Sequence, residues 1–533
     1  MPSVQSRQQL QTEEMYEFPI TGPFGGVQSE LPLTEIEALG FADTTNIMFR
    51  KGAAFVRPGY TALPKFPDPI NEPILGIVEF FNSHATRIQA VFTPTRLLQW
   101  NGTGWTVITG PSFTGTTQTF AWDVIRNVLC FTQGLDPVMT WDGIASSYSL
   151  ASVDAVAANN LAEIGLHVML LDTVESGVRF PQRYRWSGAG NPNDWTSFDS
   201  GLNDNYNNLG PGNGLVKLGQ YGFGFHEWGI VQIVPTGVGT APFAFYPIVN
   251  CSLGNIARRS LDHFNQQGVE QAVFVAEDNV YVFNQSSLIP IGDRPIDGQK
   301  RYGARSRIFA DLFASDPTLA YGYVTTAVNG QPYNAYWLNI PMISTWVYNF
   351  DEGNWTVFKY DRTVVSAGSF YKGTVPRIID LVGTIQAQNW TPITLAPTNP
   401  FDSFALGFND GTVGYIDFTN YSELPWQIVS AKHTFGDRRH GHTVKKFRLV
   451  VLDNGAVTYT VTLTNESNVS QTQVVTIGTG SGDVLSQVLT FSITGLRIQW
   501  TVSGPAGVPG AMVEFCPIFK VAGEQRGGVA DAS

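Results

Sequence analysis

Charged side chains are scarce in this sequence. They make up 14% of the 533 residues, against about 25% in average globular proteins. Their balance is acidic, with a net charge of −12, which argues against a protein that wraps nucleic acid, because phosphate neutralisation needs a basic surface. So few charges also protect a monomer poorly against association. We therefore predict extensive burial against partners; the alternative is a compact monomer with an uncharged Ser/Thr/Asn/Gln surface.

Cysteine and long apolar runs are also scarce. The three cysteines, Cys130, Cys251 and Cys516, are far apart in sequence, so neither a disulfide framework nor a CxxC metal site is supported. The amino-terminal residues are polar and lack an apolar signal core, and no stretch approaches about 18 uninterrupted apolar residues. We predict buried free thiols, synthesis in the cytoplasm and no membrane insertion.

Catalytic and cofactor motifs are missing as well. The sequence has no Gly-x-Ser-x-Gly elbow, no phosphate-binding loop and no calcium loop. His226 precedes Glu227, but no histidine follows four residues later, as the zinc-protease helix would require. We interpret His226 as a turn or core histidine, and we predict no catalysis, no cofactor and no metal.

A propeller glycosidase is the best enzymatic alternative. The turn Asp351–Trp355 resembles the aspartate-box turns of sialidases, although the box has one more residue before its tryptophan. A glycosidase also needs two carboxylates across one sugar site, which spacing in sequence cannot show. The acidic candidates are Glu277, Asp278, Asp351 and Glu352.

Glycine, proline and aromatic residues are abundant instead. There are 54 glycines and 31 prolines, and 13% of the residues are aromatic. No apolar face of helical period is longer than three turns, and Val153–Ile164 comes nearest. A turn-rich, aromatic-rich and charge-poor chain is typical of all-β proteins. We predict an all-β fold with less than about a tenth helix.

One stretch, Arg183–Val234, shows the local pattern most clearly. Strand-like sequence occurs at Arg183–Trp186, Gly214–Leu218 and Gly229–Val234, separated by turn-forming residues. Between the last two, Tyr221–Phe225 places glycines where the backbone turns or approaches a neighbour closely. The pattern predicts one antiparallel sheet, with similar sheets before and after it.

Turn-proximal tryptophans repeat at a nearly constant interval. Trp100, Trp141, Trp186 and Trp228 are 41, 45 and 42 residues apart, near the about 40–45 residues of a four-stranded propeller blade. Looser aromatic markers follow at Val280–Phe283, Val347–Phe350 and Val413–Ile416. We predict a six-bladed β-propeller; the alternative is an array of β-sandwiches without closure.

The predicted domains follow from changes in sequence texture. Residues 1–65 form an amino-terminal arm and a hairpin that turns at Lys51–Gly52. Residues 66–430 form the propeller, with insertions at Asp293–Arg305 and Ala387–Asp402. Residues 431–522 alternate apolar with Thr, Ser and Gln, which predicts a carboxyl-terminal antiparallel β-sandwich. Residues 523–533 are a glycine-containing flexible tail.

The segment that joins propeller and sandwich is basic in an otherwise acidic chain. Its candidate interaction residues are Lys432, Arg438, Arg439, Lys445, Lys446 and Arg448. They suit an acidic patch of a neighbouring subunit or the phosphates of a DNA channel, and the overall acidity favours the subunit. The alternative is a solvated connector between domains.

Three stretches together resemble the tail-hub or nozzle proteins, also called packaged-DNA stabilisation proteins, of short-tailed bacteriophages. The first combines Gly25-Gly26 with Asn46–Phe49 and Val56–Tyr60, and the second is Arg183–Leu218. The third is the basic segment that leads into the terminal sandwich. Their order spans nearly the whole chain.

The resemblance implies a structural virion protein of the β-propeller type. Such proteins assemble, usually as homohexamers, below the portal and adaptor proteins, close the DNA exit channel, retain packaged DNA and guide its ejection. It also implies tail needle, fibre or spike proteins as partners, a place in the viral tail and synthesis in the host cytoplasm. Double-stranded DNA would pass transiently without sequence-specific binding, which a net-negative lining favours because each neutralised phosphate adds affinity. The alternative is a host-surface carbohydrate-binding or glycosidase tail protein.

Overall fold

The fold is almost entirely β. The computed structural model is 56% strand and 4% helix, so the predicted all-β class is confirmed. None of the described helices is long and apolar enough to cross a membrane. The amino-terminal arm before residue 15, the insertion Ala387–Asp402, Arg438 and the tail after residue 524 lie outside the described residues. The structure describes residues 15–66, 72–115, 119–205, 208–249, 251–266, 268–296, 300–328, 331–370, 404–435 and 439–524.

The chain divides into two compact units. One comprises Met1–Arg57 together with Pro425–Ser533, and the other comprises Pro58–Leu424. We predicted boundaries at 65 and 430 and a separate amino-terminal arm. The amino-terminal strands instead join the carboxyl-terminal sheets, because their main-chain groups pair with strands from the end of the chain. We call the first unit the terminal unit.

Six short strands form the amino-terminal part of the terminal unit. They are β1 (Tyr16–Glu17), β2 (Ile20–Thr21), β3 (Gly26–Val27), β4 (Gly40–Thr45), β5 (Ile47–Arg50) and β6 (Ala53–Val56). The hairpin of β5 and β6 turns at Lys51 and Gly52, as predicted, and both have positive φ. Two residues of the family-like motifs meet here, since Nε of buried Arg57 donates to Oδ1 of Asn46 at 3.1 Å.

The other unit begins with β7 (Pro58–Ala62) and continues into four-stranded sheets. The first blade contains β8 (Gly76–Phe81), β9 (Arg87–Phe92), β10 (Leu97–Trp100) and β11 (Trp105–Ile108). The second contains β12 (Ala121–Ile125), β13 (Val128–Thr132), β14 (Met139–Trp141) and β15 (Ser149–Leu150). The third contains β16 (Ala157–Ile164), β17 (His167–Glu175), β18 (Val178–Trp186) and β19 (Gly201–Asp204).

Two further blades follow in the same antiparallel order. The fourth contains β20 (Gly212–Leu218), β21 (Tyr221–His226), β22 (Ile230–Pro235) and β23 (Phe243–Pro247). A 3₁₀ turn at Arg258–Ser260 then leads into the fifth. The fifth contains β24 (Asp262–Gln266), β25 (Val269–Val275), β26 (Val280–Phe283) and β27 (Leu288–Pro290).

An insertion and a further meander come before the last blade. The insertion holds the hairpin β28 (Asp293–Ile296) and β29 (Lys300–Gly303), the helix α1 (Arg305–Ala314) and a 3₁₀ turn at Pro317–Leu319. The meander contains β30 (Tyr321–Val328), β31 (Gln331–Ile340), β32 (Ser344–Asn349) and β33 (Asn354–Phe358). The sixth blade contains β34 (Val364–Ser369), β35 (Phe404–Phe408), β36 (Val413–Tyr421) and, from the start of the unit, β7.

These sheets form a closed ring around an axis. The innermost strands β8, β12, β16, β20, β24, β30 and β34 surround one central cavity. β34 lies beside β8, and β7 pairs with β36 in the register Ile416↔Tyr60, which closes the ring between strands far apart in sequence. The predicted six-bladed propeller is confirmed in six separate four-stranded sheets. The β30–β33 meander stands in the ring between the fifth and sixth of them.

The tryptophan repeat marks equivalent positions in three blades. Trp100, Trp141 and Trp186 are the last residues of β10, β14 and β18, each the third strand of its blade. The later aromatic markers also fall in third strands, namely β26, β32 and β36. Trp228 differs, because it lies in the turn between β21 and β22 with 54% of its surface exposed.

One local interpretation needs correction. We predicted a tight turn between the strands at Gly214–Leu218 and Gly229–Val234, but Tyr221–His226 is a full strand that pairs with both neighbours. Its glycines serve close approach, because a Cβ at Gly224 would lie 2.0 Å from the Tyr184 hydroxyl. The strand therefore needs glycine for packing.

Seven strands complete the terminal unit as a two-layer sandwich. They are β37 (Trp426–Ser430), β38 (His440–Leu452), β39 (Val457–Asn465), β40 (Ser470–Ile477), β41 (Val484–Gly495), β42 (Ile498–Gly504) and β43 (Ala511–Glu524). One layer has the order β41-β38-β43-β6-β5, and the other contains β4-β37-β42-β39-β40. Aromatic rings fill the space between them, as where Trp500 stacks on Phe515 at 4.6 Å.

Candidate functional site

The central cavity of the propeller is the main concave site among the described residues. Its volume is about 650 Å³, within the range of small-molecule pockets. The six blades and the meander all contribute innermost residues to its wall. This wall also carries several of the few ionisable groups of the chain, so the cavity is where chemistry would be expected first.

Carboxylates of the wall join neighbouring blades. Oδ2 of Asp123 in the second blade accepts the main-chain N–H of Glu163 in the third at 2.6 Å. The Glu163 side chain in turn pairs with Lys217 in the fourth blade. Glu270 of the fifth blade accepts the N–H of Gly219 in the fourth. We call these contacts the interblade bonds.

Similar bonds join other parts of the ring. Oδ2 of Asp262 in the fifth blade accepts the N–H of Val324 in the meander at 2.7 Å. The Asn127 amide in the second blade donates to the carbonyl of Phe81 in the first at 2.8 Å. Each of these two bonds satisfies a main-chain group at a blade junction.

Arg259 contacts residues from both sides of the ring closure. It precedes the fifth blade, yet its Nη2 donates to the carbonyl of Leu75, before the first blade, at 2.8 Å and to that of Val365 in the sixth at 3.1 Å. Its guanidinium lies 4.5 Å from the centre of the Tyr321 ring, a cation–π distance. The Tyr321 hydroxyl continues the chain to the carbonyl of Ala367 at 2.7 Å. Burial lowers the pKa of Arg259 to about 10, so it stays cationic at neutral pH.

The preceding residue, Arg258, reaches the third blade. Its Nη1 donates to Oδ1 of Asn159 at 2.8 Å. Burial lowers the pKa of Arg258, and the charge of Asp172 partly offsets that effect. Asp172 is itself buried and paired with Arg179 at 2.7 Å. The two adjacent arginines therefore contact blades on separate parts of the ring.

His263 is the titratable group most open to solvent in the cavity wall. Its side chain is 56% exposed, and its Nδ1 lies 3.6 Å from Oδ1 of Asp262. Asp262 first, then Asp123 and Glu270, raise the pKa of this histidine. The pKa of Asp123 is itself raised by burial, against which its two main-chain hydrogen bonds act.

The carboxylates of the wall make structural contacts. Asp123, Glu163, Asp262 and Glu270 all accept hydrogen bonds from neighbouring blades, and Glu79 is held by Arg87 of its own blade. No group of three or more His, Cys, Asp or Glu side chains in the described part of the chain is placed to hold a metal ion. Four of the five carboxylates in the described wall thus contact neighbouring blades.

The acidic residues considered for a glycosidase are not part of this wall. Glu277 and Asp278 lie in the turn between β25 and β26, and Asp278 accepts the Tyr281 hydroxyl at 3.0 Å. Asp351 lies in the turn between β32 and β33 and accepts the Asn334 amide at 2.9 Å. Asp278 and Asp351 thus contact side chains of neighbouring strands.

His226 is a core histidine. It is fully buried, with Nδ1 3.0 Å from the carbonyl of Gly210 and Nε2 2.7 Å from the Tyr184 hydroxyl. Burial lowers its pKa. The three cysteines are likewise buried and free.

The basic segment is divided between two environments. Lys432 lies between β37 and β38, and its main-chain N–H donates to the carbonyl of Leu33 at 2.8 Å. Lys445 and Lys446 lie on β38, where Nζ of Lys445 contacts Oγ of Ser492 at 3.4 Å and Lys446 is exposed. Arg439 is exposed at the start of the same strand. Arg438 lies outside the described residues.

Arg448, the last member of the segment, is already paired within the terminal unit. Its guanidinium lies 2.9 Å from carboxylate oxygens of both Glu17 and Glu514. These hydrogen bonds raise its pKa. Arg448 therefore ties β38 to β1 and β43, whereas Lys446 is exposed on the same strand.

Sequence reasoning missed Arg258 and Arg259, the residues that span the cavity. The available signal was two adjacent arginines between two predicted blades of a charge-poor chain. Paired arginines at such a place have to be neutralised or hydrogen-bonded, because isolated buried charges are costly.

Comparison with known proteins finds distant structural likenesses and no family. No family model matches the chain, and no curated protein matches it. Among solved structures, it is similar to a chain of the mitotic checkpoint complex, with 8% identity and a TM-score of 0.36 over 68% of this chain and 95% of that chain. It is also similar to the computationally designed Ika8 protein, with 10% identity and a TM-score of 0.34 over 73% of this chain and 99% of that one.

Proposed function

We propose that the chain is a structural virion protein of the tail hub or nozzle. As a homohexamer below the portal and adaptor proteins, it closes the DNA exit channel, retains packaged DNA and guides its ejection. It contacts tail needle, fibre or spike proteins and carries out no catalysis. The family resemblance of the motifs around Asn46, Arg57 and Arg183 supports the assignment to a tail.

The charged side chains of the central cavity support the proposal of a structural role, because they join neighbouring blades. Asp123, Glu163 and Asp262 join blades instead of facing a substrate. Arg259 adds a charged donor that ties the fifth blade to both sides of the ring closure. A propeller braced in this way resists deformation, which suits a subunit that holds back packaged DNA.

The size of the cavity bears on the path of DNA. At about 650 Å³ it has the volume of a small-molecule pocket, too small for a duplex. In the proposed assembly, DNA passes along the axis of the hexamer and each propeller forms part of the wall. The net charge of −12 keeps that wall from binding phosphates tightly.

Negative-stain electron microscopy tests the proposal directly. The purified chain is mixed with the adaptor protein encoded by the same genome, and each protein alone is the control. We expect six-fold rings with an axial opening, attached to the adaptor only in the mixture. A chain that stays apart from the adaptor and binds or hydrolyses a host-surface polysaccharide would replace this function with the carbohydrate alternative.

A further inference from the structure

The edge strand β40 of the terminal unit lies in the longest nearly uncharged stretch near the end of the chain. Between residues 467 and 496, Asp483 is the only charged residue. Three consecutive residues at the centre of the strand, Thr472 to Val474, are exposed, and Val474 is 61% exposed. Soluble proteins usually protect long edge strands with charge, proline or a bulge, and β40 has none of these.

Only one edge of β40 is paired among the described residues. That edge pairs with β39 over eight residue pairs, from Val457↔Ile477 to Thr464↔Ser470. The other nearby edge strand, β41, is partly covered. The Gln471 side-chain amide donates to the carbonyl of Ser492 at 3.1 Å and its oxygen accepts the Ser492 N–H at 2.8 Å. β41 therefore lies close to β40, but no described strand pairs with the second edge of β40.

The exposed face of β40 carries a ladder of hydroxyl groups. Cross-strand hydroxyl pairs connect it to β39, at 3.0 Å for Thr458 and Thr476 and at 2.9 Å for Thr462 and Thr472. Val474 lies between Thr472 and Thr476 on the same face, since side chains alternate along a strand. This Thr-Val-Thr pattern reads the same in both directions.

We propose that β40 pairs with β40 of a second copy of this chain in an antiparallel, two-fold arrangement centred on Val474. In this register Val474 faces its own counterpart, and Thr472 of each copy faces Thr476 of the other. The hydroxyl ladder then continues across the contact, and two exposed valines become buried.

The lack of charged residues on β40 allows a second copy as the occupant. Each chain carries a net charge of −12, so two copies approach best through a surface without ionised groups. A two-fold contact also uses the same patch on both partners, and the pattern around Val474 meets that requirement. This contact is separate from the proposed six-fold ring and belongs to the free protein in solution.

Cysteine cross-linking tests the register. Val474→Cys places two thiols directly opposite each other, where Cα atoms lie about 4.5–5.5 Å apart, within disulfide range. The matched control is Thr472→Cys, on the same strand and face. Its counterpart lies four residues away along the strand, about 13 Å, too far for a disulfide. The native cysteines are buried, so they do not compete.

We expect covalent dimers of Val474→Cys under mild oxidation, at least tenfold more than for Thr472→Cys. Mixing Thr472→Cys with Thr476→Cys should restore cross-linking. Equal yields for the two single variants would mean random collision and would overturn the proposal. A preference for Thr472→Cys alone would also overturn it, because the strands would then pair in another register.

The mass of the native chain in solution provides a second readout. Light scattering after gel filtration should find dimers that dissociate on dilution. Val474→Lys should remove them, because two ammonium groups would face each other. Val153→Lys, at a valine that is 95% exposed in the propeller, should leave the dimer intact. A native chain that stays monomeric at all concentrations would overturn the two-fold contact and leave the six-fold proposal untouched.

Discussion

At the scale of single residues, Arg259 carries an unusual share of the propeller's closure. It donates to two carbonyls of different blades and lies over the Tyr321 ring. A charged donor contributes about 1.5–3 kcal/mol per hydrogen bond, and its loss leaves the acceptors unsatisfied. The two acceptors are 290 residues apart in sequence, at Leu75 and Val365.

We therefore predict that Arg259→Ala lowers the free energy of unfolding by about 3 kcal/mol. The free energy of unfolding of Arg259→Lys should lie between those of Arg259→Ala and the native protein, because an ammonium group keeps the charge but lacks the planar donor geometry of the guanidinium. Urea denaturation measures both. The exposed Arg126 provides the control, since its change to Ala should leave stability within about 0.5 kcal/mol. Equal effects at the two arginines would contradict the bracing role.

His433 is a second residue whose environment predicts a measurable effect. It is 7% exposed, with its ring 5.6 Å from Phe18 and 6.1 Å from Phe435. Burial lowers its pKa to about 4, below the about 6.5 of an unfolded chain. Because the pKa of His433 is lower in the folded chain than in the unfolded chain, its contribution to folding stability is fully present above pH 6.5. It is lost as pH falls from there towards 4 and the unfolded chain takes up the proton.

Replacing His433 with Phe should remove about 3 kcal/mol of the stability loss between pH 7 and pH 4. Its aromatic neighbours accommodate a phenyl ring, and Nε2 of the histidine has no hydrogen-bond partner to lose. Urea denaturation at several pH values gives the comparison. At pH 8 the two proteins should be similar in stability. If the free energies of unfolding of the native protein and the variant changed in parallel with pH, His433 would not titrate as its burial implies.

At the scale of elements, the packing of neighbouring blades depends on glycine inside strand β21. A Cβ at Gly222 would lie 2.2 Å from Cδ1 of Ile164 on β16, in the adjacent blade. The nearest atom is the end of a flexible side chain, so a smaller partner can relieve the contact. Glycine in a strand centre normally costs stability, and here the close approach of two blades requires it.

A double-mutant cycle measures this contact. Gly222→Ala should destabilise by about 1–3 kcal/mol through overpacking, and Ile164→Val by about 1 kcal/mol through a lost methyl group. The double variant should lose less than the sum of the two, because valine lacks the clashing Cδ1. Gly104→Ala is the control, since no atom lies within 4 Å of its added Cβ. Simple additivity would indicate that the two blades are not in this contact.

At the scale of the whole molecule, several basic side chains of the terminal unit are exposed to solvent. Lys446 is exposed on β38, Arg439 is exposed where the strand begins, and Lys445 makes one weak hydroxyl contact. Arg448 is instead held in ion pairs. If the chain assembles with acidic partners, Lys446 is exposed to them, whereas loss of the Arg448 ion pairs would weaken the folded chain.

We predict that reversing Arg438, Arg439, Lys445 and Lys446 to Glu blocks incorporation into particles while the isolated chain still folds. Circular dichroism checks the fold, and mass spectrometry of purified particles checks incorporation. Arg448→Glu serves as the contrast, since it should destabilise the free chain by breaking contacts with Glu17 and Glu514. Normal particles that carry the quadruple change and keep their DNA would identify the segment as a solvated connector.

Local patterns in the sequence determined the β class and the blade repeat. The positions of Trp100, Trp141 and Trp186 mark the ends of third strands because strand period and turn chemistry act over a few residues. Trp228 misled in one detail, since a turn tryptophan and a strand-end tryptophan look alike in sequence. The terminal strands from Lys446 to Val521 were also recognisable by their alternation.

The tertiary structure alone decided which distant segments pair. Strand β7 closes the sixth blade against residues more than 350 positions later, and β1 to β6 join the end of the chain. The cavity's arginines, Arg258 and Arg259, likewise find their partners across the ring. Which distant segments pair depends on how much surface the pairing buries and on whether that burial offsets the entropy cost of closing the loop between them. That balance is set by the assembled core and has no local signature in the sequence.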